Sequence, residues 1–202
     1  MGMNSAMIHS YIERLSNLLR NEIRKSGVAL GLQPVQIEAL HYLSQCNRYS
    51  DSPMGVTDYL GQTKGTVSQS LKVLEKKGLI TKVTDSKDRR VTHLRVSESG
   101  RAFLRNAVPS AMFAKLGDYL GAETEAEISA ALKNLLLGIQ QANGMKSFGV
   151  CHTCRHCRLL DDGTHLCGLT REALSSADTQ LICREHEAGD KKAVGDESFP
   201  AE

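Results

Sequence analysis

The chain has no tryptophan, and only four phenylalanines and five tyrosines among 202 residues. Large aromatic clusters therefore cannot organise its interior, and aliphatic packing between helices is expected to dominate. No run of 18 apolar residues occurs, so a membrane span is not expected. The first residues, MGMNSAMIHSYIERL, lack a basic stretch followed by an apolar run. No secretion signal is expected there, and the chain reads as cytoplasmic. Charge of one sign is also scarce overall: 25 Lys and Arg stand against 23 Asp and Glu, a net of +2. Any affinity for a polyanion must then come from local concentration of charge. Cysteine is nearly absent before residue 151, where Cys46 stands alone, yet five occur from Cys151 to Cys183.

Against these absences stands one ordered segment, residues 56–96, VTDYLGQTKGTVSQSLKVLEKKGLITKVTDSKDRRVTHLRV. It reads as a helix, a tight turn, a second helix, and two strands around a basic turn, the order of a winged helix-turn-helix. In the second helix Val67, Leu71 and Leu74 recur at i, i+4, i+7 and form one apolar stripe. Gly65, Gln69, Lys72 and Lys76 fall opposite that stripe, with Thr66 and Ser68 flanking it. Hydroxyls, an amide and ammonium groups can hydrogen-bond to base edges and phosphates in a major groove. Thr63 suits the N-cap, and Gly78 the C-terminal stop. Segments 79–84 and 91–96 are rich in β-branched residues, as strands are. The turn between them, DSKDRR, carries Lys87, Arg89 and Arg90, cations suited to phosphates or to insertion in a minor groove.

From 63 to 95 nine cations face three anions, a local balance of +6. A charge run alone would read as a solvated surface. The full order of helix, turn, helix and basic hairpin is a stronger constraint and points to DNA. The candidate DNA-binding residues are Thr63, Lys64, Gly65, Thr66, Ser68, Gln69, Lys72, Lys87, Arg89 and Arg90.

The segment VTDYLGQTKGTVSQSLKVLEKKGLITKVTDSKDRRVTHLRVSESG resembles the MarR family of bacterial transcriptional regulators. The matching pieces are a recognition helix of the type xTxxVSxxLxxLExKGLI and a DxxDRR wing that runs into LRVSESG. The resemblance covers about residues 8–143. It implies a dimer with two reading heads, control by ligand or redox state, and repression of genes. Two heads roughly 34 Å apart would read a palindromic operator in double-stranded DNA. A small-molecule effector is one candidate signal.

Around the reading head, Ile8, Ile12, Leu15, Leu19 and Ile23 predict an amphipathic helix ending near residues 27–31. Pro34 suits a first helical position, followed by Ile37, Leu40, Leu43 and Cys46 on one face. Cys46 reads most simply as a small core residue, with redox sensing as the alternative. Asp51, Ser52 and Pro53 mark a loop, and 56–62 a short positioning helix. A helix capped by Ser97 or Ser99 is predicted through about residue 120. Gly121 breaks it, and 123–143 forms another, with Ile128, Leu132, Leu135, Leu136 and Ile139 giving an apolar face broad enough to be covered on two sides. The expected fold class is mainly α with a small β-hairpin wing. The expected domains are a helical dimerisation region at 1–32 and 98–145, a winged helix-turn-helix at 33–97, a cysteine-rich metal-binding segment at 146–188, and a disordered tail at 189–202.

The segment CHTCRHCRLLDDGTHLCGLTREALSSADTQLICREH holds five cysteines where uniform scattering would place about one. Two thiolates spaced as Cys151 and Cys154 can converge on one ion, and Cys167 and Cys183 complete a tetrahedral set. Seven scattered Leu and Ile residues are too few for a core, so a structural zinc ion would supply the missing folding free energy. An iron–sulfur cluster is the alternative, since Cys151, Cys154 and Cys157 resemble part of a ferredoxin run. Similar cysteine-rich extensions, with the pattern CxxCxxF…HxC…CxEH, occur on some MarR-like proteins. Cys157 departs from that pattern, standing where an aromatic is expected. Cys157, His165 or His186 could therefore replace one of the four. From 150 to 202 six cations face ten anions, so direct DNA contact is not expected of this part. Two other functions remain open: a thiol oxidoreductase using the CxxC, which lacks the surrounding βαβ pattern, and a protein-interaction module. The leading expectation is a DNA-binding regulator, not an enzyme.

Overall fold

A computed structural model describes residues 3–189 apart from 87 and 110. The chain divides into two compact units, 1–138 and 139–202.

In the first unit, α1 (Met3–Gly27) leads through a 3-10 turn to α2 (Pro34–Gln45). Pro34 occupies the first turn, and Gln36 Oε1 accepts from the Gln33 N–H at 2.9 Å, so the helix start is satisfied locally. Then come α3 (Pro53–Leu60) and α4 (Lys64–Lys76). The positioning helix starts at Pro53 rather than at 56: Ser52 caps it, accepting from the Gly55 N–H at 3.1 Å, and Pro53 is already set at a helical φ. Thr63 caps α4 by accepting from the Thr66 N–H at 3.2 Å. Gly78 ends this region with φ +68°, a left-handed turn that glycine adopts without a Cβ clash.

Strands β1 (Ile80–Thr84) and β2 (Thr92–Val96) pair antiparallel, from Ile80 against Val96 to Thr84 against Thr92. This is the hairpin wing. Val67, Leu71 and Leu74 of α4 are buried together with Ile37 and Leu40 of α2 and Val56 of α3, and Ile80 and Leu94 continue that core into the wing. The fold class is as expected, mainly helical with a small antiparallel wing.

Helix α5 (Glu98–Ala107) is capped by Ser97, whose Oγ accepts from the Gly100 N–H at 3.1 Å. Gly100 lies so close to the Leu79 carbonyl that a Cβ there would collide with backbone. The helix expected to run through about residue 120 instead stops at Ala107. Val108 is extended (φ −144°, ψ 128°), as the residue before Pro109 must be. Two short helices follow, α6 (Ala111–Ala114) and α7 (Leu116–Leu120). Helix α8 (Ala122–Ala142) buries no residue, and Ile128, Leu132, Leu136 and Ile139 are all exposed. Among the described residues nothing covers this helix on two sides. No helix of the described residues is long and apolar enough to cross a membrane.

The unit that follows residue 138 contains a three-stranded antiparallel sheet that sequence periodicity did not reveal. Its strands β3 (Cys157–Leu159), β4 (His165–Cys167) and β5 (Glu172–Leu174) lie in that order. Strands of three residues are too short for an alternation to register. Isolated bridges join Val150 to Ile182 and Cys154 to Ala188, so the two ends of the segment meet. The tail expected to be disordered lies, beyond Gly189, outside the described residues.

Candidate nucleic-acid interface and cysteine cluster

Every candidate contact on the recognition helix is exposed: Thr63, Lys64, Gly65, Thr66, Ser68, Gln69 and Lys72. The apolar stripe fixes this, because Val67, Leu71 and Leu74 are at most 2% exposed and turn the opposite face outward. Not every polar side chain is available. The Thr63 and Thr66 hydroxyls lie 3.0 Å apart and share a hydrogen bond, and Ser70 is buried, donating to the Thr66 carbonyl at 2.9 Å. The amide of Gln69 and the ammonium groups of Lys64 and Lys72 point the site at a polyanion.

On the wing, Arg89 and Arg90 are both exposed but differ in what holds them. Arg90 donates from its guanidinium to both oxygens of Asp88, each at 3.0 Å, and its N–H also reaches Asp88 Oδ1. That pair holds the Asp88 carboxyl below its ordinary range. Arg89 makes no ion pair among the described residues, so its charge is left for a ligand, whereas that of Arg90 is paired with Asp88. Lys87 lies outside the described residues.

The wing root contains a cluster that sequence reading passed over. His93 Nδ1 lies 2.6 Å from Asp51 Oδ1 and its Nε2 lies 3.1 Å from Asp85 Oδ2. Asp51, buried before α3, also accepts at its carbonyl from the Leu94 N–H at 2.7 Å. Burial pushes the Asp51 carboxyl up, while the hydrogen bond to Asp51 chiefly raises His93 above the ordinary imidazole value. From sequence alone Asp51 marks only a loop. No periodicity could signal a pairing across 42 residues.

Cys46 closes α2, buried, with its thiol 3.8 Å from the Leu43 carbonyl. Burial, helped by Asp51, pushes it up to about 12. A thiol so protonated is a poor nucleophile at neutral pH, so the core reading fits it and redox sensing does not.

The five late cysteines fall on one cluster. Cys151 opens a 3-10 turn, and the Cys154 N–H donates to its carbonyl at 2.9 Å. Cys157 on β3 is the register partner of Cys167 on β4. Cys183 donates its N–H to the Gly149 carbonyl at 2.9 Å, beside Cys151, whose own N–H donates to the Leu181 carbonyl. The thiol of Cys151, pushed up to about 12 by burial, shares a hydrogen bond with Cys157 and lies near Cys183 and Cys154. Cys157, raised mainly by burial, also lies near Cys154 and Cys167. Burial acts the same way on Cys167, but hydrogen bonds from the Thr170 side chain and the Thr170 and Leu169 amides outweigh it and hold this thiol below its ordinary value. The Glu187 N–H reaches Cys154 Sγ at 3.5 Å. Amides aimed at sulfur are the kind of support that thiolate ligands use. Among the described residues, however, no group of three or more His, Cys, Asp or Glu is arranged to hold a metal ion.

The two candidate histidines differ in role. His186 is buried, with Nδ1 2.6 Å from Ser147 Oγ and Nε2 2.9 Å from Thr153 Oγ1. Both ring nitrogens are engaged, so His186 ties residue 147 to residue 153 and has no nitrogen to offer a metal. His165 is half-buried on β4 opposite Leu159 and Leu174.

Residues 30–91 match the family model described as MarR family. The transcriptional repressor MprA of Escherichia coli (strain K12) is 32% identical over 94 residues, which is 46% of this chain and 53% of the repressor. The chain thus spans about half the length of the curated relatives it matches. Among solved structures, FabT of Streptococcus pneumoniae, in complex with DNA, is 26% identical with TM-score 0.55, covering 68% of this chain and 99% of that one. A MarR transcriptional regulator from Methanosarcina mazei Go1 has TM-score 0.58 at 20% identity, with the same two coverages. Residues 30–91, which present α4 and run into the wing, are thus similar to the MarR family.

Proposed function

We propose that the protein is a dimeric, sequence-specific DNA-binding transcriptional regulator that acts as a repressor. The observation that carries this reading is the exposed polar face of α4 beside a basic wing on a MarR-family scaffold. The similarity to a transcriptional repressor and to a DNA-bound regulator supports it. In this reading Thr63, Lys64, Gly65, Thr66, Ser68, Gln69 and Lys72 face the major groove, and Arg89 with Lys87 grips the backbone or minor groove. Arg90, tied to Asp88, shapes the wing that presents them.

A second copy is supported by apolar surface that one chain leaves bare. On α1 Ile8, Tyr11, Ile12 and Leu15 are exposed, as are Ile128, Leu132, Leu136 and Ile139 on α8. Pairing two copies would cover such surface and give two heads for a palindrome. An open cleft of about 320 Å³, lined by His41, Ser44, Arg101, Leu104, Arg105 and Val108, is where an effector could change the setting of α5 against α2. The reading is of a cytoplasmic protein and assigns no catalytic role.

For the cysteine cluster we propose a structural zinc ion held by four thiolates from the set Cys151, Cys154, Cys157, Cys167 and Cys183. The proximity of Cys151 to Cys154, Cys157 and Cys183 and of Cys157 to Cys167, and the amides directed at Cys154 and Cys167, support it. The hydroxyl partners of His186 argue against that histidine as a ligand. Zinc would close a fold that has little apolar core.

The test uses a duplex enriched from a random pool by the full-length protein. Replacing Arg89 and Arg90 together by Ala should weaken binding to all sequences and flatten its salt dependence. Unchanged binding by the double variant would show the wing assignment to be wrong.

A further inference from the structure

His93 sits at the root of the wing, and the reading head as described so far makes no use of it. Its two ring nitrogens face two carboxylates, Asp51 at 2.6 Å and Asp85 at 3.1 Å. A neutral imidazole carries one N–H and one lone pair, so it can satisfy only one of them; the imidazolium donates to both. The two acids belong to different elements. Asp51 precedes α3, the positioning helix, and its side chain is only 8% exposed. Asp85 follows β1 at the start of the wing turn.

The contacts continue outward from there. The other oxygen of Asp85 accepts from the Asp88 N–H at 2.7 Å, and Asp88 grips Arg90 through both carboxylate oxygens. The Val91 carbonyl accepts from the Asp85 N–H, and the Asp88 carbonyl from the Val91 N–H. A chain of hydrogen bonds thus runs from a buried acid, through His93, Asp85 and Asp88, to Arg90 on the wing turn. Among the described residues, ionisable groups that also face this chain are Arg95 on β2, 3.7 Å from Asp51, and the thiol of Cys46 at the end of α2, held protonated by burial.

We propose that His93 is a positioning residue for DNA binding: as an imidazolium it clamps the wing to the loop before α3, and its deprotonation slackens the wing and weakens the grip on DNA. The proposal rests on the DNA-binding reading above. The hydrogen bond to Asp51 raises His93 above the ordinary imidazole value, so the clamp is complete below about pH 6.5 and is lost as pH climbs through the raised value. Replacing His93 by Gln leaves a single NH2 group in place of two separate ring N–H donors, a carbonyl that only accepts, and no charge that titrates.

The experiment measures affinity of the full-length protein for a labelled duplex, enriched from a random pool by the wild type at about pH 6, across the range to about pH 9. Wild type, His93→Gln and Asp85→Asn are compared, and the His93 ring is followed by NMR, its signals assigned by their loss in His93→Gln. Wild type should lose roughly tenfold more affinity over this range than His93→Gln, which stays at the weak end throughout. Asp85→Asn, at a partly exposed position, should keep the fold and show a shallower slope than wild type. A His93→Gln slope and affinity equal to the wild type's would overturn the proposal, as would a His93 ring that titrates below about 6.5. Failure of the wild type to enrich any duplex would instead sink the DNA-binding reading, and the NMR titration would separate that failure from failure of the clamp.

Discussion

The reading head and the cysteine unit bury their residues in different ways. In the head, Ile37, Leu40, Val56, Val67, Leu74 and Leu94 are all at most 1% exposed, and three helices and the wing contribute to one apolar core. Past residue 138, the buried residues among those described are Cys151, Leu174, Thr179 and His186, two of them polar. Their contacts are hydrogen bonds: His186 to two hydroxyls, Thr179 to the Ser176 carbonyl, amides to sulfur. A core of aliphatic side chains holds itself together by leaving water. A unit of 64 residues, 139–202, built on polar contacts and thiols cannot do so, and below roughly 70–80 residues such units commonly need a staple.

The sharpest way to break this contrast is to remove the proposed zinc. With a strong chelator under reducing conditions, the cysteine unit should lose its fold, since structural zinc in small domains contributes on the order of 10–16 kcal/mol. Limited proteolysis should then cut within 145–189 while the reading head stays resistant. If the amides of β3, β4 and β5 remain protected from hydrogen exchange in metal-free protein, the staple is not zinc. The opposite lesion, Leu40→Ala, should act on the head alone. Leu40 is fully buried, and such truncations cost about 2–5 kcal/mol. Urea denaturation should show the loss while zinc content stays at the wild-type level. A fall in zinc content would mean that the two units are energetically coupled.

How much of each region could be read from sequence follows from the same contrast. Val67, Leu71 and Leu74 repeat at helical spacing because a core needs a continuous stripe, and that stripe fixed the outward face of α4 before any coordinates. The caps Thr63 and Ser97 and the stop at Gly78 were legible for the same local reason. Pro109 was passed over as a break, and the helix expected to reach about residue 120 ends thirteen residues earlier, at Ala107. The strands of the cysteine unit and the partners of His186 depend on pairings such as 147 with 186, which leave no pattern in a window of neighbours. Likewise, the cysteines announced themselves by density, and the departure from the extension pattern marked Cys157, but nothing local showed that the sheet register sets Cys157 opposite Cys167.

A smaller effect separates the units by charge. Arg89→Ala should weaken DNA binding by about 1 kcal/mol and lower the salt slope by about one counterion, because its guanidinium has no ion-pair partner among the described residues. Arg155→Ala, in the acidic cysteine unit where Arg155 pairs with Glu187, should leave both unchanged. An equal loss from the two substitutions would place the cysteine unit on the DNA and erase the division of labour.

The smallest effect tests whether the head's stability is as distributed as its core suggests. Ser97 accepts from the Gly100 N–H at 3.1 Å and donates to the Gly78 carbonyl at 2.6 Å. One hydroxyl therefore starts α5 and closes the turn that follows α4. Loss of an N-cap hydroxyl costs about 1 kcal/mol, and Ser97→Ala should lower head stability by about that much. The α5 cap lies away from α4's outward face and the wing tip, so affinity for a duplex at a temperature well below unfolding should not change. A loss several times larger would mean that the Gly78 contact sets the angle between the recognition helix and α5. The head would then depend, like the cysteine unit, on a single polar tie.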